Sequence, residues 1–136
     1  MNLTYLSDDE FERSGLSAVR SEREATSVVL HHFREVERRK LYSKHKLDSL
    51  FSYAVKIWGY SEDEAARRIS AMRLMRELPA IEEKIQSGTL TLSHLNKAQT
   101  MFRREKKAKK PRNAESKLEV LSMIENWHNF AWIAVS

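Results

Sequence analysis

Between Tyr60 and Phe102 the chain spells out three consecutive helices, each with its own start and stop. Ser61-Glu-Asp-Glu64 has the form of a capping box. The serine hydroxyl accepts from the backbone at the third helical position, and the Glu64 side chain reaches back to the capping residue. The helix it opens runs to Leu78 and turns Ala65, Ile69, Met72 and Met75 inward. Pro79 cannot continue that helix but can begin the next one. There Ile81 and Ile85 form a short apolar face, and Gly88 is the stop. Thr91 or Ser93 caps the third helix, which faces Leu92, Leu95, Ala98 and Phe102 inward. Amphipathic helices this closely spaced must bury their stripes on one another, which leaves helix-on-helix packing as the architecture.

The flanking segments extend the pattern. Ser7, followed by Asp8, Asp9 and Glu10, begins a helix, because the hydroxyl caps it and the acids suit the positive end of its dipole. A short helix to about Ser14, ended by Gly15, is expected. A long charged helix follows from Ser17 to Tyr42, with Ala25, Val29, Phe33 and Val36 inward and Val28 and His32 widening the stripe. Leu47, Leu50, Phe51, Ala54, Val55 and Trp58 form the most regular stripe, ended by Gly59. Burial of that face is expected to dominate stability, at about 1.5–3 kcal/mol per large side chain. A last helix is predicted from about Ala114 to Asn126, with Leu118, Leu121 and Ile124 or Met123 on one face. The ending, Trp127 to Ser136, is apolar and aromatic, and its final residues have room to be extended. Strand alternation is absent, and 3 Gly with 2 Pro are too few for a turn-rich β protein. The predicted fold is all-α: a compact multi-helix bundle of about six or seven helices with one long N-terminal helix. Residues 1–102 form the bundle, 103–113 a basic segment, and 114–136 a C-terminal helix and apolar tail.

Charge is concentrated behind the three helices. Arg103, Arg104, Lys106, Lys107, Lys109, Lys110 and Arg112 stand against Glu105 alone, so this run carries +6 while the whole chain carries +5. The rest of the molecule is therefore close to neutral. Cations packed this tightly repel one another. A polyanion relieves that repulsion and releases its own counterions on binding. Such contacts hold phosphate without reading bases. The plainer account is a solvated basic linker. Arg67, Arg68, Arg73 and Arg76 on the helix after Ser61 make a second positive surface, so the two together form a candidate DNA footprint. Trp127, Phe130 and Trp132 have the rings to stack on bases, but core packing or a homo-oligomer contact suits them better.

Enzyme chemistry finds no foothold. The chain has no cysteine, which removes disulfides and thiolate metal sites and makes a reducing cytoplasm the expected location. His31, His32, His45, His94 and His128 show no metal-ligand spacing, and three scattered glycines cannot build a phosphate-cradling loop. Glu22, Glu24, Glu35 and Glu37 lie on the long helix as a solvated face. No catalytic residue, metal or cofactor is assigned. No apolar run approaches the roughly 20 residues needed to span a bilayer, so no membrane partner is expected. The first ten residues lack the basic start and apolar run of a signal peptide.

Several short motifs occur in order along the chain. They are Leu41-Tyr42, preceded by Glu37, Arg38 and Arg39; Leu50-Phe51-Ser-Tyr53; Gly59-Tyr60-Ser61; Ala65-Ala66-Arg67-Arg68-Ile69; Ala71; Arg73; Leu78-Pro79; and Gly88-Thr-Leu90-Thr-Leu92-Ser93. This succession resembles the helical N-terminal region of a group of bacterial HNH-endonuclease proteins, over residues 7 to 125. The resemblance implies a helical module that accompanies a nuclease. The His-Asn-His ββα metal unit itself has no counterpart in this sequence. Ser61 to Leu92 is also similar, more weakly, to the segment after the helix-turn-helix of ParB-type partition proteins. The expectation is a non-catalytic DNA-binding module that holds mainly the phosphate backbone. The alternatives are an oligomerisation domain using Val29/Phe33/Val36 or Trp127/Phe130/Trp132, and a remnant of a nuclease with neither property.

Overall fold

The helix opened by the Ser61 box is the axis of the molecule. A computed structural model describes residues 1–135, with side chains described through Trp127. Its elements are α1 (Asp8–Arg39), α2 (Leu41–Lys44), α3 (Leu50–Lys56), α4 (Glu62–Glu77), a 3-10 turn (Pro79–Ile81), α5 (Glu82–Ser87), α6 (Leu92–Lys107) and α7 (Ala114–Val135). No strand occurs among the described residues. On α4, Ala65, Ile69, Ser70, Ala71, Met72, Leu74 and Met75 are all buried. These positions run most of the way around the helix, because α1, α3 and α6 pack on different sides of it.

The remaining core comes from one face of each neighbour. Leu30, Phe33 and Val36 come from α1; Leu50, Tyr53 and Ala54 from α3; Leu95, Ala98 and Phe102 from α6; and Leu121 from α7. Ile81, Ile85 and Leu90 close the end near the α5 turn. Trp58 sets its ring edge-on to Phe33 at 4.9 Å and to Tyr53 at 5.3 Å, and so seals the end of α3. Offset rings of this kind add roughly 0.5–1.5 kcal/mol beyond their burial.

Local signals set most of the boundaries. Ser61 accepts from the Glu64 amide at 3.2 Å while Glu64 accepts from the Ser61 amide at 2.9 Å, so both halves of the box form. Thr91 caps α6 in the same way, with His94 as its reciprocal partner. Gly59 and Gly88 take φ of 75° and 83°, where a side chain would be strained.

Several expectations are corrected. Gly15 does not end a helix: α1 runs straight through it as a 32-residue helix capped by Ser7. One glycine costs about 1 kcal/mol, which the hydrogen bonds on either side outweigh. α3 begins at Leu50, because Ser49 caps it by accepting from the Ser52 amide at 3.0 Å. Its inward face is Leu50, Tyr53 and Ala54, while Phe51 stays 39% exposed. Of the stripe read from the sequence, Leu50 and Ala54 are buried and Leu47, Val55 and Trp58 pack against the core, while Tyr53 is buried instead of Phe51; α4 contributes more buried residues than α3 does. α6 continues past Phe102 to Lys107, and on α7 Leu118 and Met123 are exposed. Ala25 is exposed as well.

Leu74→Ala should therefore cost about 2–5 kcal/mol, because Leu74 is fully enclosed. Phe51→Ala should cost less, about 1–2 kcal/mol, because 39% of Phe51 is already exposed. Urea midpoints of the two variants check the ordering.

Candidate nucleic-acid interface

The basic run is half helix and half turn. Arg103, Arg104, Lys106 and Lys107 form the last turns of α6, where positive charge suits the negative end of the helix dipole. Lys109 then adopts φ 62°, and two backbone bonds close the helix end. Lys109 donates to the Lys106 carbonyl at 3.0 Å, and Lys110 donates to the Glu105 carbonyl at 2.8 Å. This is a Schellman closure with lysine where glycine usually sits. Pro111 follows, and Asn113 opens α7 by accepting from the Ser116 amide at 2.8 Å.

The protein's own acids engage some of its cations and leave others. Arg112 donates to Glu105 at 2.8 Å and to Ser116 at 3.0 Å, and its pKa is raised by the hydrogen bond to Glu105. Arg73 and Arg76 both donate to Glu37, at 2.9 and 2.7 Å, tying α4 to α1. Partial burial pushes the Glu37 carboxyl up, but the two guanidinium bonds outweigh it, so its pKa is lowered. Arg68 lies over the Tyr60 ring at 4.6 Å and donates to the Glu64 carbonyl at 3.2 Å. Arg67 is half-buried. Arg104, Lys106, Lys107, Lys109 and Lys110 are exposed and have no ion-pair partner among the described residues.

Arg103 joins the two positive surfaces. On one side it lines a cleft of about 220 Å³ between α3, α4 and α6, with Phe51, Ser70, Arg73 and Asn96. Its guanidinium reaches the Ser70 hydroxyl at 3.5 Å, and Ser70 in turn donates to Asn96 at 2.9 Å. On the other side it lines a cleft of about 290 Å³ with Glu77, Gln99, Lys106, Arg112 and Lys117. The Gln99 side-chain oxygen is buried there without a hydrogen-bond partner among the described residues. Of the cations named from sequence, Arg73, Arg103, Lys106 and Arg112 thus border adjoining clefts. Arg67, Arg68 and Arg76 line neither.

Two features escaped the sequence reading. Lys117 bonds Glu77 at 2.8 Å and sits 5.4 Å from the centre of the Phe102 ring. Its signal was its spacing, four before Leu121 and seven before Ile124, which places a cation on the inward stripe of α7. The second feature is a smaller basic cluster, Arg38 to Lys46. Arg38 and Arg39 both bond Glu35, and those bonds lower its pKa to about 2. Lys40, Lys44 and Lys46 are exposed. Among the described residues the non-glycine positions with positive φ are Lys40, Lys46 and Lys109, all of them lysines in these two basic stretches.

The oligomerisation face expected at Val29, Phe33 and Val36 is not available, because Phe33 and Val36 are buried in the chain's own core. Trp127 is 73% exposed, and the side chains of Phe130 and Trp132 lie outside the described residues. Among the described residues no group of three His, Asp or Glu is placed to hold a metal, and no helix is long and apolar enough to cross a membrane. The chain matches no protein-family model, no curated protein and no solved structure.

The Glu37 clamp has a defined pH signature. A carboxyl with a lowered folded pKa contributes stability above its ordinary value and loses it as pH falls through the folded value. Glu37→Gln should cost about 1–2 kcal/mol at neutral pH, at the low end for charge-assisted bonds because both arginines are partly exposed. The gap between variant and parent should close as pH drops below about 4, the ordinary carboxylate range. Thermal melts across that range check it.

Proposed function

We propose that this protein is a non-catalytic DNA-binding module that grips the phosphate backbone with the end of α6 and the turn that follows. The observation that carries this reading is the allocation of charge. Seven cations are gathered in ten residues, and among the described residues an internal acid pairs with only Arg112. Arg104, Lys106, Lys107, Lys109 and Lys110 are exposed on one helix end and its connecting turn. A phosphate strand is the partner that relieves their mutual repulsion.

The backbone supports the same reading. Left-handed geometry costs an L-residue about 1 kcal/mol or more, and glycine avoids that cost. Lysine nevertheless occupies that geometry at position 109. Lys40 and Lys46 share that geometry, so at position 109 it adds weight only together with the unpaired charge on either side. Arg73 and Arg76 are committed to Glu37, so phosphate contact falls first to the α6 end, with Arg103 and Lys106 drawing the strand toward the two clefts. The resemblance to helical regions that accompany HNH nucleases points to the same class of partner. Binding of this kind is only weakly sequence-selective.

Five phosphate contacts give a slope of about −4.5 in log affinity against log salt. DNA affinity should therefore fall about 500-fold between 50 and 200 mM salt. Reversing Lys106, Lys107, Lys109 and Lys110 to Glu should abolish retention on DNA while leaving the helical circular dichroism unchanged. Absence of binding in dilute buffer, or binding that ignores salt, removes this reading.

A further inference from the structure

The first turns of α1 leave the bundle behind. Every residue from Asp8 to Glu22 is exposed, and the first buried side chain of the helix is Ser27. A free helical arm of this length is marginal in water without a packing surface. Yet it is not a uniformly polar arm. Phe11, Ala18, Ala25 and His32 recur every seven residues, and Ser14, Ser21 and Val28 lie three beyond the first three of them. All seven are exposed, with Phe11 at 49% and Val28 at 54%. These positions have the heptad spacing of a coiled-coil seam, with large apolar side chains only at Phe11 and Val28 and small Ser and Ala between them.

The seam is self-complementary in one orientation. If a second copy lies antiparallel, residues whose numbers sum to 39 face each other: Phe11 with Val28, Ser14 with Ala25, and Ala18 with Ser21. Small side chains then meet at the centre, where the helices can approach closely, and a ring meets an aliphatic residue at each end. The receiving end is also a groove. Val28, Val29 and His32 line an open apolar cleft of about 540 Å³ with Ile57, Trp58 and Tyr60. The flanking positions bring no like charges together. Glu22 falls opposite Ser17, Glu24 opposite Gly15, and Glu10 opposite Val29. A parallel pair would set Phe11 on Phe11 and leave both grooves open.

We propose that the groove at Val28, His32 and Trp58 receives Phe11 of a second copy of this chain, in an antiparallel α1 dimer whose two-fold axis passes between Ala18 and Ser21. The inference stands apart from DNA binding, since no residue of the basic run takes part. The arm of each copy then lies along residues 25–32 of the other, and the exposed stretch of helix gains its packing surface.

The test is light scattering on the full chain without DNA. The expected mass is twice the 16.0 kDa of one chain. Phe11→Asp and Val28→Asp should each halve it while the urea midpoint of the bundle stays put, because neither side chain belongs to the core. The chain has no cysteine, so engineered thiols report cleanly. A mixture of Phe11→Cys and Val28→Cys chains should form a disulfide-linked pair. Phe11→Cys alone should not, since its two copies would lie about 26 Å apart along the helices. Three results overturn the proposal: a monomer at every concentration reached, self-linking of Phe11→Cys, and a dimer dissolved by Leu16→Asp but not by Phe11→Asp. Leu16 is equally exposed at 49% but lies off the seam.

Discussion

The burial of α4 on most of its circumference is the constraint from which the rest of the structure follows. A helix that shows water only a narrow strip needs neighbours on several sides, and α1, α3 and α6 supply them. Polar contacts then fix how each neighbour sits. Glu37 of α1 holds Arg73 and Arg76 of α4, and Asn96 of α6 holds the buried Ser70. Ser27 and His31 of α1 grip Glu82 at 2.8 and 2.7 Å, which ties α5 to the same frame. With α6 held in this way, its basic end is carried on a rigid element, and Arg103 stands where two clefts adjoin.

Charge follows a related logic. Acids near the core are used as structural clamps: Glu37, Glu77, Glu82 and Glu125 each bind a basic side chain on another element. Glu105 is the one acid within the basic run, and it holds Arg112. The lysines on either side of the Schellman turn receive no such partner among the described residues. Local repulsion therefore persists in the folded chain, and only an external anion can remove it.

Much of this was legible in the sequence, for reasons that differ by element. Capping chemistry is local, so the starts at Ser7 and Ser61 could be read directly, and that at Thr91 as one of two candidates with Ser93. The stops at Gly59 and Gly88 depend on backbone freedom that only glycine supplies without strain. What the sequence did not reveal depends on distant contacts. Gly15 looked like a stop because its cost is local, whereas the continuity of α1 comes from the helix on both sides of it. On α3 the one misplaced residue is Phe51: Tyr53 is buried instead, beside Trp58 and His45, and no spacing rule reveals which of the two rings the surroundings enclose. The commitment of Arg73 and Arg76 to Glu37 spans 36 and 39 residues, beyond the reach of any spacing rule. The exposed heptad spacing on α1 was hidden for a similar reason. Without the bundle, nothing separates a stripe that packs inward from one that faces out.

The most direct measurement is lysine footprinting. The free chain and its complex with duplex DNA are acylated briefly at low salt, and modification at each lysine is read by mass spectrometry. The account predicts strong protection of Lys106, Lys107, Lys109 and Lys110, with Lys40, Lys44 and Lys46 still reacting as in the free chain. Protection centred on Lys40, Lys44 and Lys46, or spread evenly over all lysines, would contradict it.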